Sequence, residues 1–167
     1  MKIKFLLLFF LFFFLINNSF ANNIAIIDLN YLINNSITGK NIIEKLEKLN
    51  TENINLLKKE QLLLSNEKNE IEKKKNILSK DELNQKISIL NSKLDEFNKK
   101  QQNMSVEFKK LKETQLTNFI KKINPIVEKF MIDNNIDLVL KKESIHISKS
   151  EYDITEKLII IINKNLN

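Results

Sequence analysis

The sequence predicts an α+β fold, mostly α: a small β-rich oligomerisation body carrying a long antiparallel helical hairpin, a coiled-coil arm. Three observations predict it. The chain has one Gly and one Pro in 167 residues, far below the usual shares of about 7% and 5%, so it can make few turns. A heptad stripe of apolar residues runs through 83–115. Short β-branched runs stand only towards the two ends of the chain.

The chain opens Met1-Lys2-Ile3-Lys4, followed by an unbroken apolar run from Phe5 to Ile16 and then Ser19-Phe20-Ala21. A basic start, a short apolar core and small residues either side of Phe20 make a secretory signal peptide, residues 1–21. The run is too short to span a bilayer, which needs about 20 residues, and Asn17-Asn18 break it. The expected mature chain begins at Asn22. With no cysteine it has neither disulfides nor a thiol to carry a lipid, so an exported, soluble protein is expected.

Ile24-Ala25-Ile26-Ile27-Asp28 reads as a buried strand with Asp28 as a turn or cap residue, and Tyr31–Ser36 as a short helix. These form the first part of the body, 22–38. Thr38-Gly39 is the only glycine-marked break and the expected boundary. From Lys40 to about Ile77 the chain is helix-forming. Leu46, Leu49, Leu56 and Leu63 sit at heptad spacing, with Asn53 and Glu60 in the positions between. At 1.5 Å per residue this helix would be roughly 55 Å long, so it must project.

Ser79-Lys80-Asp81-Glu82 is a capping box that starts a new helix, and Lys73-Lys74-Lys75 suits the negative end of the previous one. The chain therefore reverses near Ser79. On the return, Leu83, Ile87, Leu90, Leu94, Phe97, Gln101, Met104, Phe108, Leu111 and Gln115 alternate steps of four and three. That stripe implies supercoiling against the outgoing helix, and residues 39–123 form the arm. Pro125 should kink the returning helix, and Asn134-Asn135 should end it with one Asn left-handed.

Ile136–Leu140 reads as a second strand and Ser144–Ser148 as a third, turned at Lys141-Lys142-Glu143. Asp153-Ile154-Thr155-Glu156 opens a last amphipathic helix to about Leu166. Residues 124–167 are thus the second part of the body. Three short strands in about 60 residues make a marginal core, so several copies are expected to pool their strands through Ile24, Ile26, Leu138 and Leu140.

No enzyme site is legible. There is one His and no Cys, no phosphate-loop glycine pattern and no metal-ligand spacing, so no cofactor is expected. His146 reads as an outward polar residue. The more informative residues are apolar ones off the heptad seam: Ile54, Leu57, Leu62 and Leu64 on the outgoing arm, Ile89 and Val106 on the return. They are either the shoulder of a broad 3.6-period stripe or a row of contacts offered to a partner chain. Polar Asn53, Glu60, Gln101 and Gln115 in the seam imply arms that bend.

The charge is uneven: residues 39–122 hold 19 Lys against 13 acidic residues, while the rest of the mature chain is net acidic. Solvated helical faces, attraction to acidic chains and attraction to an anionic lipid surface all fit. Nucleic acid does not, because export removes the protein from it.

The order of elements resembles the Skp/OmpH family of periplasmic chaperones. Asn23-Ile24-Ala25-Ile26-Ile27-Asp28 is similar to the family's opening strand, and Asn135-Ile136-Asp137-Leu138-Val139-Leu140 to the strand after its arm. The nearly glycine-free hairpin matches in place and length, and Asp153-Ile154-Thr155 in opening the last helix. A departure is Asn134-Asn135, where many relatives place a Gly. The resemblance implies a homotrimer whose three arms enclose a cavity. It implies ATP-independent capture, in the periplasm, of unfolded outer-membrane β-barrel proteins, for which Ile54, Leu57, Leu62, Leu64, Ile89 and Val106 are the candidate contacts. A structural coiled-coil protein of the envelope is the alternative.

Overall fold

The computed structural model describes residues 23–166, so the signal-peptide expectation for residues 1–21 lies outside the described residues. The elements run β1 (Ile24–Ile27), α1 (Leu29–Asn35), α2 (Ile37–Lys74), α3 (Lys80–Asp133), β2 (Leu138–Lys141), two 3₁₀ turns (Lys142–Ser144 and Ser150–Tyr152), and α4 (Thr155–Asn165).

Local chemistry sets the boundaries. Asp28 caps α1, its Oδ1 accepting from the Tyr31 N–H at 2.8 Å. Ser36 ends α1 and starts α2: its N–H donates to the Leu32 carbonyl at 2.9 Å and its hydroxyl accepts from the Gly39 N–H at 3.2 Å. The chain therefore breaks at Ser36, and Gly39 lies inside the first turn of α2 instead of marking a break. Glycine is needed there for closeness, since a Cβ would stand 2.0 Å from the Ile33 carbonyl oxygen.

The capping box at Ser79 is complete, with Glu82 bonding back to the Ser79 N–H at 3.1 Å. A hydrogen bond from the Ser79 hydroxyl at 2.8 Å, with that N–H behind it, holds the Glu82 carboxyl below its usual range. Pro125 does not end α3, which runs on to Asp133. At its end Asn135 is left-handed, with φ 52°. The Ile136 N–H donates to the Met131 carbonyl and the Asn135 N–H to that of Ile132. This Schellman pattern lets an Asn replace the Gly.

In the body, β1 and β2 pair in parallel, Ile24 opposite Leu138 and Ile26 opposite Leu140. Asn23 clamps the start of the pair, its N–H donating to Asp137 Oδ2 and its side chain to the Asn135 carbonyl. Under the sheet lies a core of Ala25, Ile27, Leu32, Ile33, Phe119, Ile123, Ile154, Leu158, Ile159 and Ile162. Residues more than a hundred apart in sequence meet here, so the hairpin is an excursion from one body.

The third strand does not form. Residues 145–149 run irregularly between the two 3₁₀ turns, with Ile147 87% exposed. Two contacts hold the following chain away from the β2 edge that the hairpin would have used. The other edge of β1 is occupied by Asp153 and Ile154, whose N–H donates to the Ile26 carbonyl at 3.0 Å. The Lys142 ammonium reaches Asp153 at 2.9 Å and Asp28 at 3.9 Å. It pulls the chain out of β2 toward α4 instead of turning it into a hairpin. The sheet is two-stranded, so the body is mainly helical, not β-rich.

Between the arms, burial shows a second difference. On α2 beyond Ile43 the buried and half-buried positions are Leu46, Leu49, Asn53, Leu57, Glu60, Leu64, Glu67 and Ile71. From Leu46 to Leu57 the seam takes eleven residues in three steps, about 3.67 per turn, where a strict heptad would take ten. The extra residue moves Leu57 and Leu64 into the seam. Leu56 and Leu63, the heptad expectation, are left 48% and 61% exposed. Leu64 closes on Leu90 and Phe97, with Leu57 and Ile71 packed against them. Lys93–Glu67 at 2.7 Å and Lys100–Glu60 at 2.6 Å bridge the helices beside this cluster. Exposed pairs contribute at most about 1 kcal/mol each, so the apolar cluster sets the register.

Candidate functional site

The stretch of the arm between that cluster and the body holds the candidate site. There a groove of about 540 Å³ lies between α2 and α3, within the range of ligand sites. Its apolar lining is Ile54, Leu57, Met104, Val106 and Phe108; its polar lining is Asn50, Asn53, Asn98, Gln101 and Gln102, with Ser105. Asn53 and Gln101 are the seam positions where the heptads carry amides. A carboxamide between two helices cannot close a dry contact without partners, which accounts for the open space beside Asn53 and Gln101.

Of the six candidate contact residues, the structure gathers Ile54, Leu57 and Val106 in this groove. Ile54 is 43% and Val106 61% exposed, while Leu57 is half-buried in the seam. Leu62 and Ile89 are also exposed but lie farther along the arm, outside the groove lining. Leu64 is only 8% exposed and belongs to the Leu90–Phe97 cluster. It is a packing residue, a consequence of the eleven-residue step. Asn50, Asn98, Gln102 and Ser105 went unread in the sequence. The uncharged run Gln101-Gln102-Asn103, inside a helix otherwise studded with Lys and Glu, is the signal that could have found them.

Of the four residues expected to join copies, Ile24, Leu138 and Leu140 are 39%, 47% and 37% exposed. Ile26 is 3% exposed, buried within the chain by the crossing of residues 153–154. It is not on offer to a partner copy.

A second, polar recess of about 300 Å³ includes Asp28, Lys142, Asp153 and Thr155. The Thr155 hydroxyl accepts from the Asp28 N–H at 2.9 Å and donates to Asp153 Oδ1. Burial pushes the Asp153 carboxyl up, but hydrogen bonds from Thr155 and Lys142 outweigh it and hold the group below the usual range. The hydrogen bond to Asp153 raises Lys142 in turn. Every member is satisfied within the chain, as a joint fastening α4 to the sheet. His146 is exposed and lies off any strand. No cluster of potential metal ligands occurs among the described residues, and no helix among them is long and apolar enough to cross a membrane.

The comparisons follow this architecture. No curated protein is similar at a significant level. A crystal structure of a candidate OmpH-like outer membrane chaperone from Caulobacter crescentus CB15 superposes with a TM-score of 0.77. Its identity to this chain is 18%, and the match covers 89% of this chain and 88% of that one. At that identity the likeness speaks for the fold. The family model for outer membrane protein (OmpH-like) matches residues 23–161, from the opening strand through most of α4. The chain belongs to the OmpH-like family of outer membrane proteins.

Proposed function

We propose that this protein is an ATP-independent holding chaperone of the periplasm. It binds unfolded outer-membrane β-barrel proteins along its arm and keeps them from aggregating. One observation carries this reading. A slender hairpin, whose longer helix of 54 residues extends about 80 Å, leaves Ile54, Leu62, Ile89 and Val106 exposed among lysines and acids. Such scattered apolar contacts suit weak, repeated grip on an unfolded chain. The excess of Lys on the arm adds attraction for acidic segments.

Weak contacts need several copies to hold a client. Ile24, Leu138 and Leu140 lie on a two-stranded sheet whose β2 edge has no strand beside it among the described residues. Apolar, unpaired edges call for cover, and a homotrimer joined there would turn the arms around a shared cavity. Sedimentation of the mature protein tests this; a stable monomer at micromolar concentration refutes it.

The functional test is dilution of a urea-unfolded porin into the mature protein. Light scattering should fall at stoichiometric ratios without ATP. Replacing Ile54, Leu62, Ile89 and Val106 together by Ser should restore scattering while leaving the oligomer intact. Leu57 and Leu64 are kept because they hold the arm together. If wild-type protein leaves porin precipitation unchanged, the protein instead bridges partners in the envelope as a structural coiled coil. Co-sedimentation with anionic vesicles that falls with salt would then favour a lipid surface as the partner.

A further inference from the structure

We propose that the groove between α2 and α3 holds an extended, uncharged stretch of polypeptide by its backbone, through the carboxamides of Asn50, Asn53, Asn98, Gln101 and Gln102. This rests on the chaperone reading and names which part of the client is held there.

The lining chemistry points to that occupant. The chain as a whole is 29% charged, yet no residue lining this groove is charged. A charged ligand would lose water there without a counter-ion. Each carboxamide presents two N–H donors and one carbonyl acceptor. That is the complement of a backbone residue, whose C=O accepts and whose N–H donates, so one side chain can pair with both.

These side chains are also free to pair. Asn34, Asn35, Asn134 and Asn165 each spend their amide on the carbonyl four residues back. Among the described residues, the groove carboxamides make no such bond. All but Asn53 are exposed, and Asn53 is half-buried. A ligand would exchange with water and not with the protein's own backbone.

Spacing fits as well. Asn98 and Gln102 stand one helical turn apart, a rise of about 6 Å. Alternate residues of an extended chain, which point their backbone groups the same way, repeat about every 6.6–6.8 Å. Beside them, exposed Ile54 and Val106 offer apolar contact to the small side chains in between. Backbone groups are common to every client, so capture here would not depend on client sequence.

The test uses the mature full-length protein and a fluorescein-labelled ten-residue peptide of Gly, Ser, Thr and Val, read by anisotropy. The same peptide N-methylated at alternate residues loses donors but keeps its side chains. N-methylation is expected to weaken binding about fivefold to tenfold. The double variant Asn98→Leu/Gln102→Leu, at two exposed positions, should weaken the plain peptide equally and abolish the difference between the two. Equal affinity for both peptides, undetectable binding of either, or a variant indistinguishable from wild type overturns the inference. Porin solubility is measured in parallel. If porin stays soluble while the two peptides bind alike, backbone recognition alone has failed. If porin precipitates with wild type too, the chaperone reading has failed with it.

Discussion

Replacing Leu64 and Leu63 separately by Ala distinguishes the seam in the structure from the seam a strict heptad would give. Leu64 is 8% exposed and packs on Leu90 and Phe97. Truncation to Ala removes three carbons from a nearly dry site. At about 0.8 kcal/mol per buried methylene the transfer loss is about 2.4 kcal/mol, and some cavity cost is added. The slender arm can partly collapse around the gap, which keeps the total near 2–3 kcal/mol. Leu63 is 61% exposed, so little more than a third of the transfer loss applies, below about 1 kcal/mol, and the better helix propensity of Ala offsets part of that. Because the arm can open while the body stays folded, amide hydrogen exchange across 57–97 is the informative assay, with urea unfolding by circular dichroism beside it. Leu64→Ala should speed exchange across both arms by about thirtyfold or more, and Leu63→Ala by less than about fivefold. If Leu63→Ala costs as much as Leu64→Ala, the eleven-residue step from Leu46 to Leu57 is wrong and the seam is a plain heptad.

Three further outcomes follow from the body. Gly39→Ala would gain up to about 1 kcal/mol from helix propensity alone. Its Cβ at 2.0 Å from the Ile33 carbonyl instead predicts a loss of about 3 kcal/mol or more, and a raised Tm would refute the close approach. Thr155→Val keeps the shape but removes the acceptor of the Asp28 N–H and a donor to Asp153. A loss of about 1–3 kcal/mol is expected in urea unfolding, and no loss would mean water takes over both bonds. The depressed Asp153 carboxyl adds stability above its unfolded pKa of about 3.9, lost as pH falls through its lower folded value. Lys142→Met should therefore lower Tm at neutral pH and narrow the fall in Tm between about pH 5 and pH 2. An acid sensitivity equal to wild type would place the stabilisation elsewhere.

Most of the fold was legible because its signals are local. Asp28, Ser79 and Asn135 act on groups within a few residues, and their roles could be read from short patterns: a cap, a capping box, a left-handed end. The alternation of four and three along α3 found Leu90 and Phe97 correctly, since those positions repeat at the same phase as the true seam. The same method misplaced Leu56 and Leu63. A leucine at every seventh position looks like a seam whether or not the partner helix follows it, and here the partner's Leu90 and Phe97 select Leu57 and Leu64. The groove was half legible: Asn53 and Gln101 were seen to loosen the seam, but the space they open could not be drawn.

By itself the sequence determined that two very long helices form, where the second is capped, and where the chain reverses. Those outcomes rest on hydrogen bonds four residues apart and on side chains reaching their own backbone. Only the tertiary structure decided the number of strands, the phase of the coiled coil, the burial of Ile26 and Leu64, and the meeting of Ile54 with Val106 beside five carboxamides. Each of these depends on which distant segment packs at a shared edge or face. Ser144–Ser148 alternates as a strand should, yet Lys142, held by Asp153 and Asp28, leads the chain away from the β2 edge that a hairpin would have covered.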